Sequence, residues 1–211
     1  EMITRFRQQG WLFNGTTQQT RYLFEVPEDL KQRFREALER RFLAEVKAAA
    51  AEPPMYREEP EMLSADLLLF LQYVSKHDIP LNSEGVMYRR NQSQIMESLH
   101  VSEGLVGRGW RFGYGRRFKD YPNRFALLYD YAYHFRLIQE NNHRLELTDT
   151  GVAYLTEERK EPMIQFVRFW LRLYKGPIPN LLSLVYWIVC CSKEWVTVSS
   201  LFERVEPLIK P

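Results

Sequence analysis

Cysteine, histidine and long apolar runs are all scarce in this sequence, and each scarcity removes a class of function. The two cysteines, Cys190 and Cys191, are adjacent, and neighbouring side chains diverge too far to bridge. They sit in the apolar run Leu181–Cys191, which reads as buried, reduced thiols of a cytosolic protein and not as a zinc knuckle. The four histidines, His77, His100, His134 and His143, are scattered and match no ligand spacing. Glycine is concentrated in one cluster, Gly104, Gly107, Gly109, Gly113 and Gly115. That cluster carries no Lys-Ser/Thr pair and follows no buried strand, so it is not a phosphate loop of the G-x-x-x-x-G-K-S/T kind. The adjacent carboxylates Glu58-Glu59 and Glu157-Glu158 point in different directions, which suits solvated charge better than acid/base work. No signal peptide is expected from the opening residues, and no run is long enough to span a bilayer, Leu181–Cys191 having the length of a core helix. The expectation is a cytoplasmic protein that is not an enzyme, with no cofactor, no metal and no membrane partner. The chain opens at Glu1 in what reads as mid-helix, as a fragment of a longer protein would.

What the sequence does have is aromatic residues, 14% of 211, with 13 Phe, 12 Tyr and 5 Trp. They supply much burial per residue, which suits short helices around small cores. The net charge of +2 is unevenly spread. From Arg89 to Arg124 eight bases face three acids, a net of +5, whereas from Glu25 to Asp66 eleven acids face seven bases, a net of −4. A locally basic middle in a near-neutral chain fits a surface that meets phosphate on one side only.

Along the chain, Met2 to Gly10 reads as the end of a helix closed by Gly10. Trp11-Leu12-Phe13 and Arg21 to Val26, around a turn starting Asn14-Gly15, read as a β-hairpin. Pro27-Glu28-Asp29 opens a helix in which Leu30, Phe34, Leu38, Phe42 and Val46 recur at helical spacing to about Ala50. Residues 51–62, with Pro53, Pro54, Pro60 and several acids, form a linker. Ser64 then caps a helix with Leu67, Leu68, Phe70, Leu71 and Val74 on its core face. Ile79 to Asn82 is a short extended piece, a Ser83-Glu84-Gly85 turn follows, and a second helix runs from about Arg89 to His100. Glu103 to Asp120 has no period. Pro122 and Asn123 introduce a third helix to about Leu137. Leu137 to Gln139 and Arg144 to Leu147 form a second hairpin, and Thr148-Asp149-Thr150-Gly151 starts another helix. Helices around 161–174 and 178–191 read as packing elements, and Ser199 caps a last helix to Ile209.

The order from residue 63 to 147 is helix, short strand, helix, loop, helix, hairpin, the order of a winged helix. Helix end, hairpin and acid-started helix also occur in residues 2–34, and a repeated pattern is stronger than a single one. The expected fold is mainly α with small β-hairpin wings. Its tandem winged-helix modules, a helix-turn-helix variant, carry additional packing helices. Residues 1–50 would be the end of a first module, 51–62 a linker and 63–158 a complete module. Residues 159–211 would be a helical extension or the start of a further module.

The runs IPLNSEGVMYRRNQSQIMESL, RFALLYDYAYHFRLIQENNHRLELTDTGVAYL and FVRFWLRLYKGPIPNL resemble the helicase-associated region found with bacterial XPB-type DNA-repair helicases. The shared features are a Gly-containing turn (Gly85) before a basic helix (Arg89, Arg90), a wing ending Leu147-Thr148-Asp149-Thr150-Gly151, and Trp170-Leu171 before Pro177-Ile178-Pro179. The opening GWLFNGTTQQTRYLFEVPEDL is similar to the wing and exit of a preceding module. The resemblance covers nearly the whole chain, and its motifs are structural. It implies an accessory region without motor motifs, with a helicase motor or other DNA-processing protein as partner.

The sharpest local signal is the segment from Gly107 to Lys119. Arg108, Arg111, Arg116, Arg117 and Lys119 can neutralise phosphates, and Trp110 can stack on a base. Arg89 and Arg90, Asn123 and Arg124 at the start of the third helix, and Arg144 at the wing tip complete the candidate nucleic-acid-binding set. Against it stands a plain surface connector whose aromatics tuck onto the core. The third helix also offers mostly Tyr129, Tyr131, Tyr133 and His134, a weakly basic face for reading DNA. Two functions remain open. One is a non-catalytic nucleic-acid-binding accessory module, tolerant of sequence, on duplex or single-stranded DNA. The other is a protein-protein interaction scaffold with no direct DNA contact.

Overall fold

A computed structural model describes residues 1–15, 24–56, 62–107, 113–156, 162–191 and 193–209. The fold is mainly helical, with two small antiparallel sheets of two and three strands among the described residues. The chain divides into two compact units, Glu1–Pro54 with Pro179–Pro211, and Met55–Ile178.

The first unit contains α1 (Met2–Gln8), β1 (Phe13–Asn14), β2 (Phe24–Glu25), α2 (Glu28–Leu43), α8 (Leu181–Cys191) and α9 (Val198–Ile209). Gly10 closes α1 at φ 71°, a conformation glycine adopts without a Cβ penalty. β1 and β2 pair antiparallel, with Phe13 opposite Glu25. The helical spacing predicted α2 as far as Ala50, but it stops at Leu43. Residues beyond it are drawn into pairing with the far end of the chain: Ala49 N–H donates to Trp195 O at 2.7 Å, and Thr197 N–H to Lys47 O at 3.0 Å. The Lys47 N–H also donates to Ser200 Oγ at 3.0 Å. These bonds outweigh the helix preference of Ala48, Ala49 and Ala50, which is a weak prior. The small core stacks Phe42 on Trp187, ring centroids 4.4 Å apart, and Leu181, Leu184, Cys191 and Val205 are buried in the same unit. At the start of α9 the residue before the helix is Thr197, whose hydroxyl donates to Ser200 Oγ; Ser199 is inside the helix and exposed.

The second unit runs α3 (Met62–Lys76), β3 (Ile79–Pro80), α4 (Arg89–Ser98), α5 (Asn123–His134), β4 (Ile138–Asn141), β5 (Arg144–Leu147), α6 (Asp149–Thr156) and α7 (Pro162–Tyr174). Its sheet has the order β3-β5-β4, all antiparallel, with Ile79 opposite Leu145 and Ile138 opposite Leu147. The β4–β5 turn is the two residues Asn142 and His143, both at positive φ (45° and 58°), the handedness that suits the twist of flanking strands. α3 begins two residues before Ser64, so Ser64 is buried within the helix and is not its cap. At α6 the expected start holds, and Thr148 Oγ1 accepts from the Gly151 N–H at 3.0 Å.

The core of this unit is aromatic. Phe70, Tyr121, Phe125, Tyr129 and Tyr131 are fully buried, with Phe70 edge-on to Phe125 at 5.0 Å. Each such side chain stabilises by about 1.5–3 kcal/mol through burial alone. Tyr121 reaches across to accept from the Met87 N–H through its hydroxyl at 3.0 Å, and burial pushes that hydroxyl up to about 12. The turn between β3 and α4 is closed by Asn82, whose Oδ1 accepts from Glu84 N–H (3.0 Å) and Val86 N–H (2.9 Å).

Candidate nucleic-acid interface

Arg116 and Arg117 do not stand free in solution. Arg117 is 7% exposed. Its guanidinium donates to Glu84 O at 2.9 Å, Gly85 O at 2.6 Å and Glu140 Oε1 at 2.9 Å. Gly85 is required here twice over. Its φ is +74°, and a Cβ would come within 2.5 Å of the Arg117 guanidinium. Glu140, on β4, also receives the Tyr129 hydroxyl at 2.9 Å and the Arg116 guanidinium at 2.8 Å. Burial raises the Glu140 carboxyl, but hydrogen bonds from Arg117 and Tyr129 and the charge of Arg116 outweigh it and hold the group below its ordinary value. Arg116 lies 4.2 Å from the Tyr133 ring centroid, a cation–π contact.

Beneath this loop lies Asp130. Gly115, at φ +119°, leaves the space a Cβ would deny to the Asp130 carboxylate, and the Arg116 N–H donates to Asp130 Oδ2 at 2.8 Å. Asp130 Oδ1 is buried without a partner. Burial dominates, and it pushes this carboxyl up to about 6.

A second cluster holds the start of α5. Asp66, fully buried on α3, accepts from the Arg124 guanidinium at 2.8 Å and from the His100 N–H and Nδ1 at 2.7 and 2.9 Å. Burial raises Asp66, yet the Arg124 and His100 hydrogen bonds prevail and lower it. Glu103 Oε2 accepts from the backbone N–H of Arg124 and Phe125 at 3.0 and 3.1 Å. The positive end of α5 therefore already faces a carboxylate, where a phosphate contact was expected.

α5 itself is enclosed. Phe125, Leu128, Tyr129 and Ala132 are buried in the core. Tyr131 stacks on Phe166 of α7, centroids 3.9 Å apart, and meets Phe169 edge-on at 5.4 Å. Asn123, Tyr133 and His134 are the exposed residues of the helix. A helix so covered has no free face to lie in a groove.

The remaining candidates are spread. Arg89 and Arg90 are exposed at the start of α4, whose first turn has no acid, and Arg89 makes a long 3.4 Å contact to Val106 O. Lys119 is exposed, its ammonium 5.6 Å from the Phe118 ring centroid. Arg144 pairs with Asp78 at 3.0 Å, both half-exposed or more, so that pair is weak. Arg108, Trp110 and Arg111 lie outside the described residues, as does the turn Thr16 to Arg21. Arg116, Arg117 and Glu140 are thus brought together, Arg124 belongs to the separate Asp66 cluster, and Arg89, Arg90, Lys119 and Arg144 join neither.

The residues that sequence reasoning passed over are the acceptors: Asp66, Glu103, Asp130 and Glu140. Two carried a signal. Asp66 precedes Leu67-Leu68-Leu69-Phe70, and Asp130 lies between Tyr129 and Tyr131. An acid embedded in an apolar or aromatic run must be buried, and a buried charge requires a partner. No helix among the described residues is long and apolar enough to cross a membrane. No protein-family model matches the chain, and neither a curated protein nor a solved structure matches it significantly.

Proposed function

We propose that this chain is a non-catalytic accessory module of a DNA-processing assembly, and that it holds nucleic acid by its phosphates without reading bases. In this reading Met55–Ile178 is a winged helix: the order α3-β3-α4-α5-β4-β5 and the sheet order β3-β5-β4 support it. The paired β1–β2 hairpin ahead of α2 supports a preceding wing. The similarity to the helicase-associated region of bacterial XPB-type DNA-repair helicases makes a helicase motor the natural partner. The observation that carries the phosphate reading is the pair Arg89 and Arg90, exposed at a helix start with no acid in its first turn, beside an α5 that is closed off. Lys119 and Arg144 would add to it. Arg117 and Arg124 would act only by holding the fold.

Fluorescence anisotropy with duplex, forked and single-stranded DNA tests this. Binding should fall by orders of magnitude between about 50 and 200 mM salt and should not change with base sequence. Replacing Arg89, Arg90 and Lys119 with Ala should lower the salt slope by roughly one for each phosphate the protein no longer neutralises. Absence of binding at the lower salt, or a strong sequence preference, would refute the reading.

A protein-interaction scaffold is the second reading. It draws on the apolar residues left exposed on α7 (Ile164, Val167) and α8 (Leu182, Tyr186, Val189). It expects no DNA binding and stable co-purification with a helicase or polymerase subunit.

A further inference from the structure

We infer that the cleft where the end of α5 meets β4 is a binding site for a phosphoryl group, held by Arg136 with His134, whose ring Arg172 flanks. The cleft, of about 430 Å³, is lined by Tyr133, His134, Arg136, Gln139, Glu140 and Thr148 among others. Its walls offer a guanidinium, an imidazole, a phenol and an amide, a donor set suited to phosphate oxygens.

The balance of charge points the same way. The one carboxylate in the wall, Glu140, is already saturated by Arg116, Arg117 and the Tyr129 hydroxyl. Two further cations then remain beside the cleft with no carboxylate partner among the described residues. Arg136 makes no ion pair there, and the Arg172 guanidinium lies against both ring nitrogens of His134 in place of an acid. Burial and the Arg172 charge both lower His134 from its ordinary value. A bound phosphoryl group would give the Arg136 guanidinium an anionic partner within the cleft.

The backbone supplies independent support. Arg136 follows the end of α5 at φ 54°, the left-handed position where helices ordinarily place glycine or asparagine. Its carbonyl accepts the Thr148 hydroxyl, which fixes the backbone in that conformation. An arginine at a position that favours glycine is explained if its guanidinium is needed in the cleft. The site uses none of Arg89, Arg90 or Lys119, so it stands or falls apart from the function proposed above.

The test follows the histidine ring resonances of the full chain by NMR during titration with inorganic phosphate and, separately, with a short oligothymidylate. His77, His100 and His143 serve as internal controls. His134 should shift and its titration midpoint should rise with at least one probe. Arg136→Gly relieves the backbone while removing the guanidinium, and should weaken that response by roughly tenfold or more. Arg172→Gln should act in the same direction, and Arg136→Lys should retain part of the binding. A response to phosphate alone assigns a small phosphorylated molecule as the source, and a response to the oligonucleotide assigns a strand backbone; both support the cleft. A His134 resonance indifferent to both probes, or a response unchanged in the Gly and Gln variants, overturns it.

Discussion

The two units solve the problem of burial differently. Met55–Ile178 encloses a continuous core from α3 to α7, with Phe70, Phe125, Tyr121, Tyr129 and Tyr131 removed from solvent. Among its described residues, the unit formed by Glu1–Pro54 and Pro179–Pro211 buries few apolar side chains beyond Phe42, Leu181, Leu184, Cys191 and Val205. It leaves Trp11, Phe13, Leu38, Leu182, Val189, Trp195, Val198 and Phe202 exposed. Polar groups divide the same way. Each buried carboxylate of the middle unit, Asp66 and Asp130, is tied to a specific loop, whereas the ion pairs of the other unit, such as Arg204–Glu45 at 2.6 Å, lie nearer the surface. The difference teaches that the middle unit is specified by its interior, and the other unit by fewer, more exposed contacts.

The largest expected effect is in the middle core. Phe125→Ala should destabilise that unit by about 3–5 kcal/mol, measured by denaturant unfolding, because a fully buried ring leaves a cavity. If Phe42→Ala in the other unit costs as much, the contrast in core quality is wrong. Next comes Asp66→Ala, which removes the buried carboxylate that the Arg124 guanidinium and the His100 N–H share and should cost about 3 kcal/mol. Asp66 and Glu140 are both held below their ordinary values of 3.8 and 4.5. Their contribution is therefore present above those values and lost as pH falls below them. An acid titration of wild type and Asp66→Ala should converge at low pH; curves that stay parallel there would contradict the linkage.

Asp130 carries the opposite sign. Its carboxyl is raised from 3.8 to about 6, so it favours the fold below the first value and its contribution is lost as pH rises through the second. Asp130→Asn should accordingly raise stability at neutral pH by about 1–2 kcal/mol and change little near pH ~4. A thermal melt at both pH values decides this, and a destabilised variant at neutral pH would show that the ionised carboxylate is the form the loop needs. The smallest effects belong to exposed apolar positions: Leu182→Ser and Val189→Ser should shift stability by no more than about 0.5 kcal/mol. A larger drop in the isolated chain would mean that those side chains are covered in solution, which would narrow the contrast between the units.

Local structure was legible in the sequence wherever local rules decide it. The α5 spacing, the β4–β5 hairpin and the start of α6 after Thr148 are short-range matters, and so is Gly10. Apart from the helix starts misplaced at Ser64 and Ser199, the failures share one cause, a partner far away in sequence. Nothing near Ala48 or Ala49 announces Val196 or Trp195. The pairing of Arg124 with Asp66, 58 residues apart, is likewise invisible to composition, so a run of arginines reads as surface charge when two of them are interior fasteners. Asp130 is the instructive case, because its flanking tyrosines marked it as buried while its partner, the backbone beyond Gly115, could not be named without the fold.

The division of the chain into an interrupted unit and a continuous one also sets an order of events during synthesis. Residues 1–54 leave the ribosome well before 179–211, which they need to complete their unit. The intervening segment holds every strand of its own sheet and can close in the meantime. At a synthesis rate of about 5–20 residues per second, the opening helices wait on the order of ten seconds with their apolar side chains uncovered. The segment made earlier is the one finished later, and during that interval Phe42, which Trp187 later covers, is a side chain that a chaperone would meet.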